Sequence, residues 1–396
     1  MLRVCFVIED FLPIVNGTTV QIVALAERLA RCGAKVTILS RKITSGQEYG
    51  EELRGIRVIR VGPALGARRI AKYVMILPVW LALVRERRHY DQVIVCDLKV
   101  LGVPAVLAAG MLGKRCLLRA ESCGELDGSF ATQYGPPPPL CKRALIAGLV
   151  RLRNALLLSA EAFLAVSSAI QREFLACGVA PAKIVAIPNG IDTHRFRPLS
   201  PEAREQLRRD MALEGQRVVV YTGRLARGKG LEHLLRAWQR LASEEDGLRL
   251  LLVGSGQGFA LACEDALKEY VREHRLHDAV TFVGNVPDVA AYLQAADCFV
   301  LPSQVESFSL SLAEALSCGL PCVATAVGGI LDLVVQRHSG LLVPYGDEEA
   351  LATAVRELLG DVALARRLGA AARQEMTRHF DIDHVADAYR TLLERT

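Results

Sequence analysis

Fifteen residues in the second half of the chain hold the richest chemistry. They read Pro302-Ser303-Gln304-Val305-Glu306-Ser307-Phe308-Ser309-Leu310-Ser311-Leu312-Ala313-Glu314-Ala315-Leu316. Two carboxylates stand eight positions apart, Glu306 before an apolar periodic run and Glu314 inside it. Ser307 or Ser309 can cap the helix that this run predicts. The amides near Phe308, Ser309 and Leu310 would then point at an anion. A phosphate could sit there while both carboxylates accept hydrogen bonds from hydroxyls on either side. A hydrolytic acid/base pair is disfavoured, because such a pair flanks the scissile bond from opposite sides. Taken alone, the spacing also fits a plain capped surface helix.

A second group supplies positive charge. The run Val218-Val219-Val220-Tyr221-Thr222-Gly223 reads as a strand, and Arg224 and Lys229 lie between it and the next helix. Gly223, four residues, then Gly228-Lys229 nearly spells a phosphate loop, but that motif needs Ser or Thr next to hold magnesium. Gly230 stands there, so a P-loop-like nucleotidase lacks its metal ligand, and a Ser at 230 is expected to be neutral for any other chemistry. Two cations on a strand-to-helix turn still suit a diphosphate. Gly254-Ser255-Gly256-Gln257-Gly258 also follows a strand, but Phe259 stands where a dinucleotide fingerprint wants Gly or Ala. A nicotinamide oxidoreductase is therefore disfavoured, and 254–258 reads as a tight turn.

The elements that must position these groups alternate along the chain. Short apolar runs at 3–8, 35–39, 56–61, 92–96, 115–119, 162–166 and 183–187 alternate with helical patterns such as Val20–Arg31, Val100–Leu112 and Ser168–Cys177. Strands of this kind, buried on both faces, predict a doubly wound parallel sheet. Residues 188–201, rich in Pro, Gly, Asn and Asp, read as a linker. The pattern restarts with strands at 217–222, 248–253, 279–283, 297–301, 321–325 and 340–344. Helices are expected at Leu231–Ala242, Gly258–His274, Leu310–Cys318 and Glu348–Leu359, with a helical tail from Val362 to Glu394. Two α/β domains in series follow, with ligands at the carboxyl ends of their strands and in a cleft between them.

Composition narrows the class. The 396 residues are 51% hydrophobic and 23% charged, which excludes a disordered chain. Eleven cysteines are scattered without a CxxC pair or a histidine at zinc spacing, so they read as reduced, mostly buried thiols in a cytosolic protein. Met1-Leu2-Arg3 leads straight into a strand pattern and predicts no leader. No apolar run is long and unbroken enough to span a bilayer; Tyr73–Val84 is short and contains Pro78. The net charge of +5 is uneven. Residues 1–190 carry 25 Lys and Arg against 14 Asp and Glu, net +11, and residues 191–396 carry 23 against 29, net −6. Basic-apolar stretches at 68–90 and 141–158 suit an anionic membrane surface, or core helices with solvated basic ends. Nucleic acid is excluded as a partner, since the basic residues are not interleaved with aromatics and no binding motif is present.

In order, the motifs resemble the retaining glycosyltransferases of family 4. The resemblance rests on Asn16-Gly17, Ala165-Val166-Ser167, Ile187-Pro188-Asn189-Gly190-Ile191-Asp192 before Phe196 and Pro198, and Gly223-Arg224-Leu225 with Lys229-Gly230. It continues through Leu301-Pro302-Ser303, Glu306, Glu314, Gly319-Leu320-Pro321 and Gly328-Gly329. It implies the GT-B fold: two facing Rossmann-like domains, an acceptor-side one at 1–190 and a donor domain at 191–375, with a helix at 376–396 crossing back onto the first. It implies that Arg224 and Lys229 hold a donor diphosphate and stabilise the leaving group. Glu314 would bind the ribose, and Glu306 with Ser307, Phe308, Ser309 and Leu310 the donor sugar. Gly17 would let backbone approach the phosphates. No bound cofactor and no metal is implied; a nucleoside diphosphate sugar is the co-substrate. A hexose-type unit would pass to a carbohydrate or lipid-linked hydroxyl with retention, in polysaccharide, glycolipid or cell-envelope synthesis on the cytoplasmic side of a membrane.

The chain departs from the family pattern at Ser309, where Gly is common, and at Asp332, where Glu is common. Many relatives also carry a His after the fifth strand of the first domain, where this chain reads Arg119-Ala120-Glu121-Ser122-Cys123-Gly124-Glu125. Glu121 or Ser122 is the acceptor-side candidate, and Glu121 paired with Arg119 is the plainer reading. A non-catalytic sugar-nucleotide binding protein is the rival from another class, disfavoured by the intact Glu306, Glu314, Arg224 and Lys229.

Overall fold

A computed structural model describes residues 1–64, 71–131, 139–258 and 261–395. The chain forms two compact units, one of Met1–Gly190 with Ile382–Thr396 and one of Ile191–Asp381.

In the first unit, β1 (Arg3–Val7), α1 (Gly17–Arg31), β2 (Lys35–Arg41), β3 (Gly50–Leu53) and β4 (Ile56–Val61) open the chain. Next come α2 (Ala71–Val74), α3 (Ile76–Arg85), β5 (Gln92–Cys96), α4 (Leu98–Leu112) and β6 (Arg115–Arg119). The unit continues with α5 (Leu140–Leu157), β7 (Ala162–Ala165), α6 (Ser168–Ala176) and β8 (Ile184–Ala186). The strands order as β3-β4-β2-β1-β5-β6-β7-β8, all parallel except β3 against β4. β3 was not foreseen: Gly-Glu-Glu-Leu has no apolar alternation, because this edge strand is largely exposed.

The second unit holds α7 (Pro201–Asp210), β9 (Arg217–Thr222), α8 (Leu231–Glu244), β10 (Leu248–Val253) and α9 (Glu264–Glu273). It continues with β11 (Val280–Gly284), α10 (Val289–Ala295), β12 (Cys298–Leu301), α11 (Leu310–Ser317) and β13 (Cys322–Thr325). Next are α12 (Ile330–Leu333), β14 (Leu341–Val343), α13 (Glu348–Gly360) and α14 (Val362–His379). Its six strands are wholly parallel, in the order β11-β10-β9-β12-β13-β14. The helix expected from Gly258 begins only at Glu264, since Gly258 turns at φ +81°.

The helical tail is not continuous. α14 runs through position 376 to His379, and a new helix, α15 (Ile382–Glu394), follows after Phe380-Asp381. The amphipathic face of α15 joins the first unit's core: Val385, Ala386, Tyr389, Leu392 and Leu393 pack with Val4, Phe6, Ile22 and Leu25. Gly190 makes this approach possible, because a Cβ there would lie 2.7 Å from the Ile382 Cα. Seven cysteines, among them Cys5, Cys96 and Cys298, are buried and free; the side chain of Cys141 lies outside the described residues.

In each sheet one strand has neighbours reached by crossovers in opposite directions. That switch point falls between β1 and β5 in the first unit and between β9 and β12 in the second. Loops leaving the carboxyl ends there diverge and open a crevice.

Candidate active site

The loops after β9 and β12 carry the two groups singled out above, and the second switch point brings them together. β9 is buried along almost its whole length and ends at Thr222, just before Gly223. The Tyr221 hydroxyl donates to the Arg224 carbonyl at 2.9 Å and shapes the turn. Gly254 approaches so closely that a Cβ there would stand 2.0 Å from the Gly223 carbonyl oxygen. The Arg224 side chain is exposed, and that of Lys229 is partly so.

Gly230 explains why the phosphate-loop pattern fails. It adopts φ +69°, and a Cβ would fall 1.8 Å from the Pro302 carbonyl oxygen. No Ser or Thr fits this position, so the expectation that a Ser at 230 would be neutral is wrong: the backbone of the β12 loop occupies its space. The same two loops are joined by the Gln304 amide, which donates to the Gly228 carbonyl at 2.9 Å.

Glu306 is 9% exposed and sits where these loops meet. Its Oε1 accepts from Lys229 Nζ at 2.6 Å and from the Ser303 hydroxyl at 2.8 Å. Its backbone is held by the double glycine: the Gly329 amide donates to the Glu306 carbonyl at 2.9 Å, and a Cβ on Gly328 would meet that oxygen at 2.0 Å. The motif Gly328-Gly329 therefore acts on Glu306 from the β13 side.

α11 starts beside this carboxylate. Of the two candidate caps, Ser309 is the one used, its hydroxyl accepting from the Leu312 amide at 3.4 Å. Ser309 adopts φ +76° and ψ 92°, a conformation costly for any residue with a Cβ. This is the physical reason a glycine suits the position. The first amides of α11 have no acceptor within the helix and carry its positive dipole end. Phe308 is 2% exposed and packs on Phe380 with ring centroids 5.8 Å apart, so it anchors the loop and offers only its backbone. Glu314 lies one turn into α11, half-buried, its carbonyl accepting from the Cys318 amide at 3.0 Å and its carboxylate without a hydrogen bond or ion pair among the described residues. Burial pushes its carboxyl up to about 7, with Arg195 pulling it back.

Arg224 and Lys229 on the loop after β9, with the first amides of α11, form one set of groups, and Glu306, paired with Lys229, and Glu314 in α11 form a second. The first set suits a multiply charged anion, and the second suits hydroxyls. The other glycine run is already satisfied internally. Glu264 Oε2 accepts from the Gly256 amide at 2.8 Å and from Ser255 Oγ at 2.7 Å. Hydrogen bonds from Lys268, Ser255 and Gly256 pull this carboxyl down to about 2. An internal anion fills the turn that a dinucleotide phosphate would need; Phe259 itself lies outside the described residues.

In the first unit, Gly17 is exposed and opens α1, which is capped by Asn16 Oδ1 accepting from the Thr19 amide at 2.9 Å. Glu121 accepts from Thr18 Oγ1 at 3.3 Å and is ion-paired with the fully buried Arg119. Burial raises its pKa, and Arg119 opposes the rise. Arg119 also donates to Asn189, which gives the Asn of the Ile187–Asp192 motif a structural task. Glu121 is therefore held by Arg119, as the plainer reading had it, while bridging to the α1 terminus. The Ser122 backbone amide is tied down as well, and the residue responsible was missed. Glu125, fully buried, accepts from the Glu121 and Ser122 amides at 3.1 and 2.8 Å through Oε1, and from the Leu98 amide at 3.1 Å through Oε2. Burial and Asp97 push Glu125 up, and Lys99 3.7 Å away draws it back. Among the described residues, no group of three His, Cys, Asp or Glu side chains is placed to hold a metal ion.

The chain resembles known proteins over most of its length. The profile of Glycosyltransferase Family 4 matches residues 15–195, and that of Glycosyl transferases group 1 matches residues 203–375. A GDP-mannose-dependent alpha-mannosyltransferase of Mycobacterium tuberculosis is 30% identical over 379 residues, covering 92% of this chain and 91% of that one. A D-inositol 3-phosphate glycosyltransferase of Kineococcus radiotolerans is 28% identical over 380 residues, covering 90% and 85%. Among solved structures, sucrose-phosphate synthase from Thermosynechococcus elongatus superposes with a TM-score of 0.83 at 26% identity, with all of both chains covered. With both halves matched and a near-full-length relative at this identity, the chain belongs to the family 4 glycosyltransferases and has their GT-B fold.

Proposed function

We propose that this glycosyltransferase moves a hexose-type sugar from a nucleoside diphosphate sugar to a hydroxyl acceptor, with retention of configuration and without a metal at the site. The observation that carries the reading is the cluster of Lys229, Glu306 and Ser303 at 2.6 and 2.8 Å, beside the open end of α11. Arg224 and Lys229 hold the diphosphate and offset the charge that builds on it as the anomeric C–O bond breaks. The amides of Ser309 and Leu310 face the same anion. Glu314 takes the ribose hydroxyls, and Glu306 with the Ser307 and Phe308 backbone takes those of the sugar. The acceptor oxygen attacks the anomeric carbon on the face the leaving group vacates, and its proton passes to a departing phosphate oxygen. Gly17 admits backbone to the phosphates, and Glu121 and Ser122 lie on the acceptor side.

The names of the two curated relatives support a nucleotide-sugar donor and a polyol or carbohydrate acceptor. An acceptor among polysaccharide, glycolipid or cell-envelope precursors, met at the cytoplasmic face of a membrane, extends the same reading. Calorimetry against UDP-, GDP- and ADP-sugars in excess chelator tests it. One donor should bind without metal, and Arg224→Ala and Lys229→Ala should each weaken it at least tenfold, or about 1.4 kcal/mol. Unchanged affinity in both variants would remove the phosphate assignment. NMR of the transferred sugar reads the configuration directly.

A further inference from the structure

α5 is an unusual helix for a globular core. Its sequence, LCKRALIAGLVRLRNALL, contains Lys142, Arg143, Arg151 and Arg153 and no acidic residue. Leu145, Leu149, Leu152 and Leu156 fall at i, i+4, i+7 and i+11, one helical stripe. That stripe faces out: Leu145, Leu149 and Leu152 are 64%, 59% and 67% exposed. A solvent-facing stripe normally carries polar residues, whereas this one carries leucines.

Its neighbours continue the pattern. α5 packs on α4, and α4 on α3. α4 exposes Leu107 and Met111, and the α2–α3 segment exposes Tyr73, Leu77 and Leu81 at four-residue spacing. Arg85, Arg87 and Arg88 close the end of α3, and Arg143 and Arg151 add positive charge on other faces of α5, all exposed. Glu86, the single acid in the sequence of 71–88, 98–114 and 140–157, is buried and paired with Arg57 and His89. The side chains of 71–72 and 140–142, and residues 68–70 of the basic stretch, lie outside the described residues.

We infer that α3, α4 and α5 form the surface by which this protein docks on an anionic lipid bilayer, with the leucine stripe entering the headgroup layer and the arginines meeting lipid phosphates. Charge complementarity selects the occupant. A second copy would bring two arginine-edged, acid-free faces together and meet repulsion, whereas an anionic interface satisfies both the apolar stripe and its cationic edges. No helix among the described residues is long and apolar enough to cross a membrane, so the contact is a surface one.

The full chain is sedimented with phosphatidylcholine vesicles, with and without about one-third phosphatidylglycerol. One of its two tryptophans, Trp80, lies in α3 partly exposed, and the other, Trp238, is fully buried, so emission reports on this face. The expected result is pelleting and a blue shift with the anionic vesicles, both reversed by salt. L149E/L152E should lower the bound fraction at least tenfold while leaving the melting temperature unchanged, because both side chains are exposed. Equal recovery with both vesicle types, or unaltered binding by that variant, overturns the inference. So does a dimer seen by light scattering that the variant dissolves, which would make a second copy the occupant.

Discussion

Glu306→Gln and Lys229→Met should move nucleotide affinity in opposite directions. In the free enzyme the Lys229 ammonium is already neutralised by Glu306 at 2.6 Å, with the two side chains 24% and 10% exposed. Unit charges at about 4 Å in a surface-like medium interact by roughly 4 kcal/mol, and residual solvent screens part of that. A discounted value of about 1–2 kcal/mol is what a diphosphate must overcome to engage Lys229. Replacing Glu306 by Gln keeps the shape and the Ser303 contact and removes the competing charge. Affinity for a nucleoside diphosphate without its sugar should therefore rise by about 5- to 30-fold. Lys229→Met should lower it at least tenfold, near 1.4 kcal/mol. Sugar transfer should fall in both, because Glu306 is then absent for the sugar hydroxyls or Lys229 for the leaving group. Calorimetry with UDP, GDP and ADP reads the sign directly. A purely structural ion pair would give two variants with lowered melting temperatures and the same affinity shift, or none, and that outcome would refute the assignment.

Three further outcomes follow from particular residues. Glu314, pushed up to about 7 by burial, takes a proton as pH falls through that value and loses acceptor capacity for hydroxyls. Donor affinity should therefore drop below pH 7, and Glu314→Gln should flatten that dependence in a titration series; a wild-type profile flat between about pH 5.5 and 8.5 would contradict the role. Ser309→Gly should relieve about 1 kcal/mol of strain at φ +76° while losing a weak 3.4 Å cap, raising the melting temperature by about 2–4 °C. A lowered melting temperature would mean the cap outweighs the strain. Glu125→Gln, although isosteric, would turn an amide N–H toward the Leu98 or the Glu121 and Ser122 donors and should cost about 1–3 kcal/mol in denaturant melts. An unchanged midpoint would show that the buried carboxyl already acts as a donor there.

Much of the architecture was legible because both sheets, apart from β3, are parallel and buried, so each central strand announces itself as a short apolar run. The edge strand β3 had no such signal. The charged groups of the candidate site could also be singled out, since Arg224, Lys229, Glu306 and Glu314 lie on loops and near a helix start with recognisable spacing. What fixes them was not. The contact of Gly230 with Pro302, and of Gly328 with Glu306, joins segments that are distant in sequence, and only the strand order places them side by side. The same holds for Glu125, whose three amide partners come from the start of α4 and from the loop after β6. A lone Glu four positions after Glu121 carries no sequence mark of that task. Within positions 362–394, helix-favouring almost throughout, the break between α14 and α15 rests on Phe380-Asp381, where the Ile191 amide donates to the Phe380 carbonyl at 2.7 Å.

The most direct test is a crystal structure of the protein with a nucleoside diphosphate sugar bound. The diphosphate oxygens should lie within hydrogen-bond distance of the Arg224 guanidinium and Lys229 Nζ, with Glu314 on the ribose and Glu306 on the sugar. A nucleotide seated instead on Gly254–Gly258, or one leaving the Lys229–Glu306 pair untouched, would contradict the account.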